Sequence, residues 1–111
     1  MAETNLQRVC NVSDLETNWG EVALIGDHQY AVFLVKDGAV FVTDHKDPAS
    51  EALVMARGIV GEKDGKHTVT APLYKEVYDL ETGKCLSGKD FTLPVYETSV
   101  EDGVVYMTAT A

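Results

Sequence analysis

The stretch Tyr30-Ala31-Val32-Phe33-Leu34-Val35-Lys36-Asp37-Gly38-Ala39-Val40-Phe41-Val42-Thr43 decides the fold class. Asp-Gly is a hairpin dipeptide, because both residues tolerate the positive φ that a tight turn needs, and here it stands between two runs of β-branched and aromatic residues. The run Tyr30 to Val35 is apolar throughout instead of alternating, which predicts a strand covered on both faces, as between packed sheets. The same turn signal recurs at Asp64-Gly65, joining 57–61 to 66–70, and at Asp102-Gly103, joining 94–100 to 104–110. In the last of these strands Val104, Tyr106 and Thr108 alternate with Val105, Met107 and Ala109, and this strand is expected to close the domain. Hairpins of this density in 111 residues predict an all-β chain, an antiparallel β-sandwich of several short strands.

Helix is scarce in this pattern. One or two short helical turns are predicted near 14–18, with Ser13 and Glu16 as a capping box, Gly20 as the stop, and Leu15 and Trp19 as one buried face. The segment 50–56 suits another short turn or a loop. No linker, repeat or low-complexity tract interrupts the chain, so residues 1–111 read as one domain with its core at about 9–108.

Eighteen Asp and Glu against nine Lys and Arg leave a net charge of -9, so counterion release at a phosphate backbone favours nothing here and nucleic acid is disfavoured as a partner. No apolar run approaches the roughly twenty residues of a spanning helix, which argues against a membrane partner. The polar start, Met1 to Arg8, lacks the pattern of a signal peptide, and a cytoplasmic location is expected. Cys10 and Cys85 are far apart and form no C-x-x-C pair, which predicts reduced thiols without a disulfide or thiolate metal site.

Catalytic signatures are missing: there is no G-x-S-x-G, H-E-x-x-H or phosphate loop, and His28, His45 and His67 stand apart. His45 is flanked by Asp44 and Asp47, a set that suits a hard cation, although a solvated acidic loop is the simpler expectation. His28 and His67 read as exposed polar residues beside turns. Cys85 reads as a packing residue.

The second half carries a family resemblance. Ala71-Pro72-Leu73-Tyr74, Tyr78-Asp79-Leu80-Glu81-Thr82-Gly83-Lys84-Cys85-Leu86, Leu93-Pro94-Val95 and Glu101-Asp102-Gly103-Val104-Val105-Tyr106 look like the ordered series of a Rieske domain, with C-P-L-H, F-D-L-x-T-G-x-x-L and a closing hairpin. Upstream, Phe41-Val42-Thr43-Asp44 followed by Asp47-Pro48-Ala49 resembles the strand and loop that present C-P-H. The resemblance spans about 9–108 and implies a Rieske-like sandwich. It also implies where cluster ligands would stand: Asp47 and Ala71 at the cysteine positions, Ala49 and Tyr74 at the histidine positions. A Rieske cluster needs two thiolates and two imidazoles, and alanine offers no donor atom, so these degenerate positions are expected to hold no cluster.

A cluster-free Rieske-like domain with Ala56-Arg57-Gly58-Ile59-Val60-Gly61 and Pro72-Leu73-Tyr74-Lys75 resembles the small-subunit family of assimilatory NADH-dependent nitrite reductases. The resemblance implies an accessory chain that brings no cofactor or catalytic residue. Its partner would be a large catalytic subunit carrying FAD, an iron-sulfur cluster and siroheme, the whole being an oxidoreductase that reduces nitrite to ammonium in nitrate assimilation. The alternatives are a free-standing Rieske-like ferredoxin-type protein, which needs the four missing ligands, and a small metal-binding protein built on Asp44, His45, Asp47 and Tyr74. The ligand-loop tip is the expected docking surface, through Asp44, His45, Lys46, Asp47, Leu73, Tyr74 and Lys75, with Tyr74 filling the space of the cluster and its hydroxyl meeting Asp47.

Overall fold

In the computed structural model, which describes residues 5–35, 38–73, 75–88 and 90–109, the run that decides the fold is a strand with a core on each side. Ala31, Phe33 and Val35 enter one cluster with Met55, Val69, Tyr78, Leu80 and Leu93. Val32 points the other way and joins Leu15, Val40, Val42, Val105 and Met107. Successive side chains alternate across a strand, so a run without polar interruptions serves two cores at once.

The strands are β1 (Asn5–Asn11), β2 (Gly20–Ile25), β3 (His28–Leu34), β4 (Val40–Asp44), β5 (Ile59–Lys63), β6 (Lys66–Thr70), β7 (Val77–Asp79), β8 (Val95–Tyr96), β9 (Thr98–Glu101) and β10 (Val104–Ala109). They form three antiparallel sheets in the orders β1-β10-β9, β2-β3-β4-β8 and β5-β6-β7. The all-β sandwich architecture read from the hairpins is the one observed.

Two of the turns are two-residue loops with both residues at positive φ. Lys63 pairs with Lys66 around Asp64 (φ 52°) and Gly65 (φ 80°). Glu101 pairs with Val104 around Asp102 (φ 51°) and Gly103 (φ 76°). That geometry matches the twist of the flanking strands. Another hairpin, β2–β3, pairs Ile25 with His28 around Gly26-Asp27, a Gly-Asp signal that the sequence also carries. In the first hairpin Val35 donates to the Ala39 carbonyl at 2.9 Å, and Gly38 sits at φ 93°.

Several expectations need correction. The segment 94–100 is not one strand. Val95 and Tyr96 pair with β4, while Thr98 to Glu101 pair with β10, so the chain changes sheets between them. Arg57 and Gly58 precede β5: Met55–Arg57 is a 3-10 turn, and the strand begins at Ile59. The early helical turn is a 3-10 turn at Val12–Asp14, where the Asn11 N–H donates to Asp14 Oδ2 at 3.2 Å. After it the chain extends, Thr17 bridging Leu34 and Asn18 reversing at φ 61°. Leu15 is buried as expected, but Trp19 is 61% exposed, because the extended chain takes it out of helical register with Leu15. No helix among the described residues is long and apolar enough to cross a membrane.

Candidate functional site

Two loops at one end of the central sheet carry the residues singled out above, one between β4 and β5, the other between β6 and β7. In the first, the backbone folds on itself: Asp47 donates to the Ala52 carbonyl at 2.8 Å, and Glu51, at φ 63°, donates to the Asp47 carbonyl at 2.7 Å. In the second, Ala71 donates to the Glu76 carbonyl at 2.8 Å and Lys75 turns the chain at φ 58°. One carboxylate ties the first loop to β7, the strand that follows the second. Asp47 is fully buried, its Oδ1 accepting from the Ala49 N–H at 3.0 Å and the Tyr78 hydroxyl at 3.0 Å, its Oδ2 from the Ser50 hydroxyl at 2.9 Å. Aspartate before proline is suited to the short loop bond to Ala49. Three donors satisfy this carboxylate, and no basic side chain among the described residues pairs with it, which is what burial of a carboxylate demands.

Tyr78 stands in the middle of β7, fully buried. Burial, then the hydrogen bond and charge of Asp47, push its phenol far above the ordinary tyrosine value, so it remains a donor. Beside this clasp, Cys85 is buried with its Sγ 3.2 Å from Ser87 Oγ and 3.7 Å from Glu76 Oε2.

His45 and Asp44 face different partners. The His45 carbonyl accepts from Val54 at 3.0 Å and Met55 at 2.9 Å, and Nδ1 accepts from the Ala56 N–H at 3.1 Å. The ring is therefore the tautomer with its proton on Nε2. Desolvation, and behind it the charge of Arg57, lower the His45 pKa. Asp44 Oδ1 accepts from His28 Nε2 at 2.7 Å and the Tyr96 hydroxyl at 2.6 Å. Tyr96 is raised far above its ordinary value by burial and then by that bond. At the far end of the first loop, a groove of about 530 Å³ runs between the start of β2 and the Met55–Arg57 turn, lined by Trp19, Gly20, Glu21, Val22, Ala56, Arg57 and Gly58.

The family model described as a Rieske-like [2Fe-2S] domain matches residues 5–108. The NADH nitrite reductase small subunit of Escherichia coli strain K12 is 35% identical over 100 residues, 89% of this chain and 93% of that protein. The chain belongs to the family of NADH-dependent nitrite reductase small subunits. The NMR structure of the E. coli protein NirD matches this member of the family with a TM-score of 0.86 and 32% identity, over 98% of this chain and 100% of that one. A nitrite reductase [NAD(P)H] large subunit from Klebsiella oxytoca is 32% identical over 101 residues, 91% of this chain but 10% of that protein. A unit similar to this one thus forms part of a large-subunit chain there.

The residues of this small-subunit family member do not fit the cluster that the Rieske-like fold implies. Both Asp47 oxygens are engaged by donors, and Ala49 and Ala71 carry no ligand atom. Tyr74 lies outside the described residues. The cysteines sit at other positions, Cys10 in β1 beside one core and Cys85 inside the other, where its thiol lies against Ser87 and Glu76. Nor do Asp44, His45 and Asp47 converge: one bonds His28 and Tyr96, the next Ala56, the last Tyr78. Among the described residues no group of three or more His, Cys, Asp or Glu is placed to hold a metal ion.

The tip has a different texture from the one expected. His45 is buried, so the solvated-loop reading of it is wrong: its backbone and ring hold the Met55–Arg57 turn. Asp47 is also buried, and the tyrosine that reaches it is Tyr78. Lys46, Lys75 and Leu73 are exposed and Asp44 is half-buried. His28 is exposed, whereas His67 is half-buried with its ring 5.8 Å from that of Phe41. The role of Tyr78 had a signal in the sequence: a buried Asp47 without a basic partner needs a hydroxyl donor, and the tyrosine of the Tyr78-Asp79-Leu80 strand supplies it.

Proposed function

We propose that this chain is the accessory subunit of a cytoplasmic NADH-dependent nitrite reductase and acts by binding the catalytic large subunit, bringing no cofactor of its own. The observation that carries the reading is the 35% identity to a nitrite reductase (NADH) small subunit over nearly the full length of both chains. The large-subunit chain with a similar unit inside it supports the pairing, since units joined in one chain work within one assembly. The reaction assigned to the assembly is reduction of nitrite to ammonium in nitrate assimilation. FAD, the iron-sulfur cluster and siroheme are assigned to the large subunit. This chain serves as one Rieske-like domain, 1–111, with its core at about 9–108. Its own chemistry is that of a binding surface: the Asp47 carboxylate in the first loop is consumed by internal hydrogen bonds.

The test is co-expression with the large subunit encoded in the same genome. The two chains are expected to co-purify, and NADH-dependent ammonium formation from nitrite to fall when this chain is omitted and to recover when it is added back. A large subunit that neither retains this chain nor responds to it would refute the reading.

A further inference from the structure

Two exposed apolar side chains, Trp19 and Val22, line the groove beside β2, and two more, Leu24 and Ile59, lie further along β2 and just after the groove's last residue. Trp19 is 61% exposed, Val22 50%, Leu24 67% and Ile59, which follows the groove residue Gly58, 72%. Val22 and Leu24 lie on the same face of β2, the edge strand of the central sheet. Soluble proteins blunt such edges with charged side chains, proline or a covering element, and the segment Gly20-Glu21-Val22-Ala23-Leu24-Ile25 has one charge, Glu21, and no lysine or proline. Arg57 projects at the same groove. The ion pairs among the described residues are His28–Asp44 and Lys46–Glu51, so Arg57, which shares the groove with Glu21, is not held in a salt bridge there.

The groove has a fixed floor. A Cβ at Gly20 would overlap the Ala56 carbonyl oxygen, and one at Gly58 would lie 2.7 Å from both the Thr70 oxygen and Val69 Cγ2. Backbone therefore packs against backbone under the groove, and His45 pins the Met55–Arg57 turn from behind. A groove with a fixed floor that sets Trp19, Val22 and Ala56 beside the charged Glu21 and Arg57 has the mixed apolar and charged composition of a protein-docking anchor.

We propose that this groove, between the start of β2 and the Met55–Arg57 turn, docks the large subunit, which fills it with an apolar side chain flanked by a carboxylate that pairs with Arg57. This rests on the function proposed above. The occupant follows from two observations. Arg57 makes no ion pair among the described residues, although Glu21 lines the same groove, which leaves its guanidinium open to a carboxylate from a partner. A similar unit joined to a large-subunit chain makes that subunit the surface at hand.

Trp19 is the sole tryptophan of the sequence, which provides a probe needing no substitution. The chain labelled with 5-fluorotryptophan is titrated with unlabelled large subunit and followed by its single fluorine resonance and by calorimetry. The resonance is expected to shift on binding. Trp19→Ser and Arg57→Glu, each with a melting temperature close to wild type, are expected to weaken binding about tenfold or more. Val100→Ser, an exposed apolar residue of β9 in a different sheet, leaves it within about twofold. If the wild-type chain fails to bind, both this inference and the proposed function fall. If it binds while the fluorine resonance stays put and both groove variants bind like wild type, the docking site is overturned and the function stands. Loss of binding on combining Lys46→Glu with Leu73→Ser, with the groove variants unaffected, would put the partner at the ligand-loop tip and overturn the groove.

Discussion

Tyr78→Phe removes one hydroxyl from a fully buried ring and takes one donor from Asp47. A hydrogen bond to a charged group contributes about 1.5–3 kcal/mol net, so the variant is expected to lose about 2 kcal/mol, or about 8 °C in melting temperature for a chain of this size. The carboxylate itself is not stranded, because Ala49 and Ser50 still donate to it. Asp47→Ala is worse. It leaves the Tyr78 hydroxyl and the Ala49 N–H without partners, at about 1–3 kcal/mol each, and a loss of about 4 kcal/mol is expected. Asp47→Asn separates charge from connectivity. Its amide oxygen can take the Oδ1 position and accept from Ala49 and Tyr78, while its NH₂ donates to Ser50 Oγ, so the loss is expected to stay near 1 kcal/mol.

The decisive measurement is the double-mutant cycle by urea denaturation. Once Asp47 is alanine, Tyr78→Phe removes an unpaired hydroxyl and becomes neutral or stabilising, giving a coupling of about 2 kcal/mol. Additive losses from the two substitutions would refute the argument that this bond joins the first loop to β7.

Other outcomes follow from the same geometry. His45 has a lowered pKa in the folded chain, so its stabilising contribution is complete above the unfolded value of about 6.5 and is lost as pH falls from there through the folded value. Urea midpoints from pH 7.5 to 5 should drop more steeply for the wild type than for His45→Gln. Because the loop residues do not fit a cluster, protein treated with iron and sulfide should show no visible absorption band, and chelator should leave its melting temperature unchanged. Gly83 lies at φ 79°, where an added Cβ would overlap the Leu93 carbonyl oxygen, so Gly83→Ala should cost about 3 kcal/mol or more, read from the same denaturation curves.

That last glycine shows why the fold could be read. In Asp79-Leu80-Glu81-Thr82-Gly83 nearly every residue has a local duty: Asp79 Oδ1 accepts from the Glu81 N–H at 2.8 Å, Thr82 Oγ1 from the Lys84 N–H at 3.2 Å, and Leu80 is buried. Gly83 donates to the Asp79 carbonyl at 2.7 Å where only a residue without a side chain fits. Local constraints leave a mark in sequence, and so do the Asp-Gly hairpins. Trp19 was misread because helical spacing and an extended edge share the same residues here. What separates them is the bridge from Thr17 to Leu34, a contact across the fold. The segment 94–100 was misjudged for a similar reason: the step from β8 to β9 depends on which sheet each half meets.

The loop that resembles a cluster-binding loop has one consequence that extends beyond the tip. His45 and Asp47 are near neighbours in sequence, both buried, and each organises a different part of the chain. Asp47 holds β7 through Tyr78, and His45 holds the Met55–Arg57 turn, whose residues line the groove. Perturbing Asp47 should therefore cost stability without changing the groove, since its side-chain bonds run to Ala49, Ser50 and Tyr78 of β7 and not to the Met55–Arg57 turn. Protonating His45 should act on the groove directly, because a protonated ring has no acceptor for the Ala56 N–H and brings a second positive charge toward Arg57. A loop freed from holding metal by its side chains still fixes the position of segments on two sides, and that framing role keeps it ordered without a cluster.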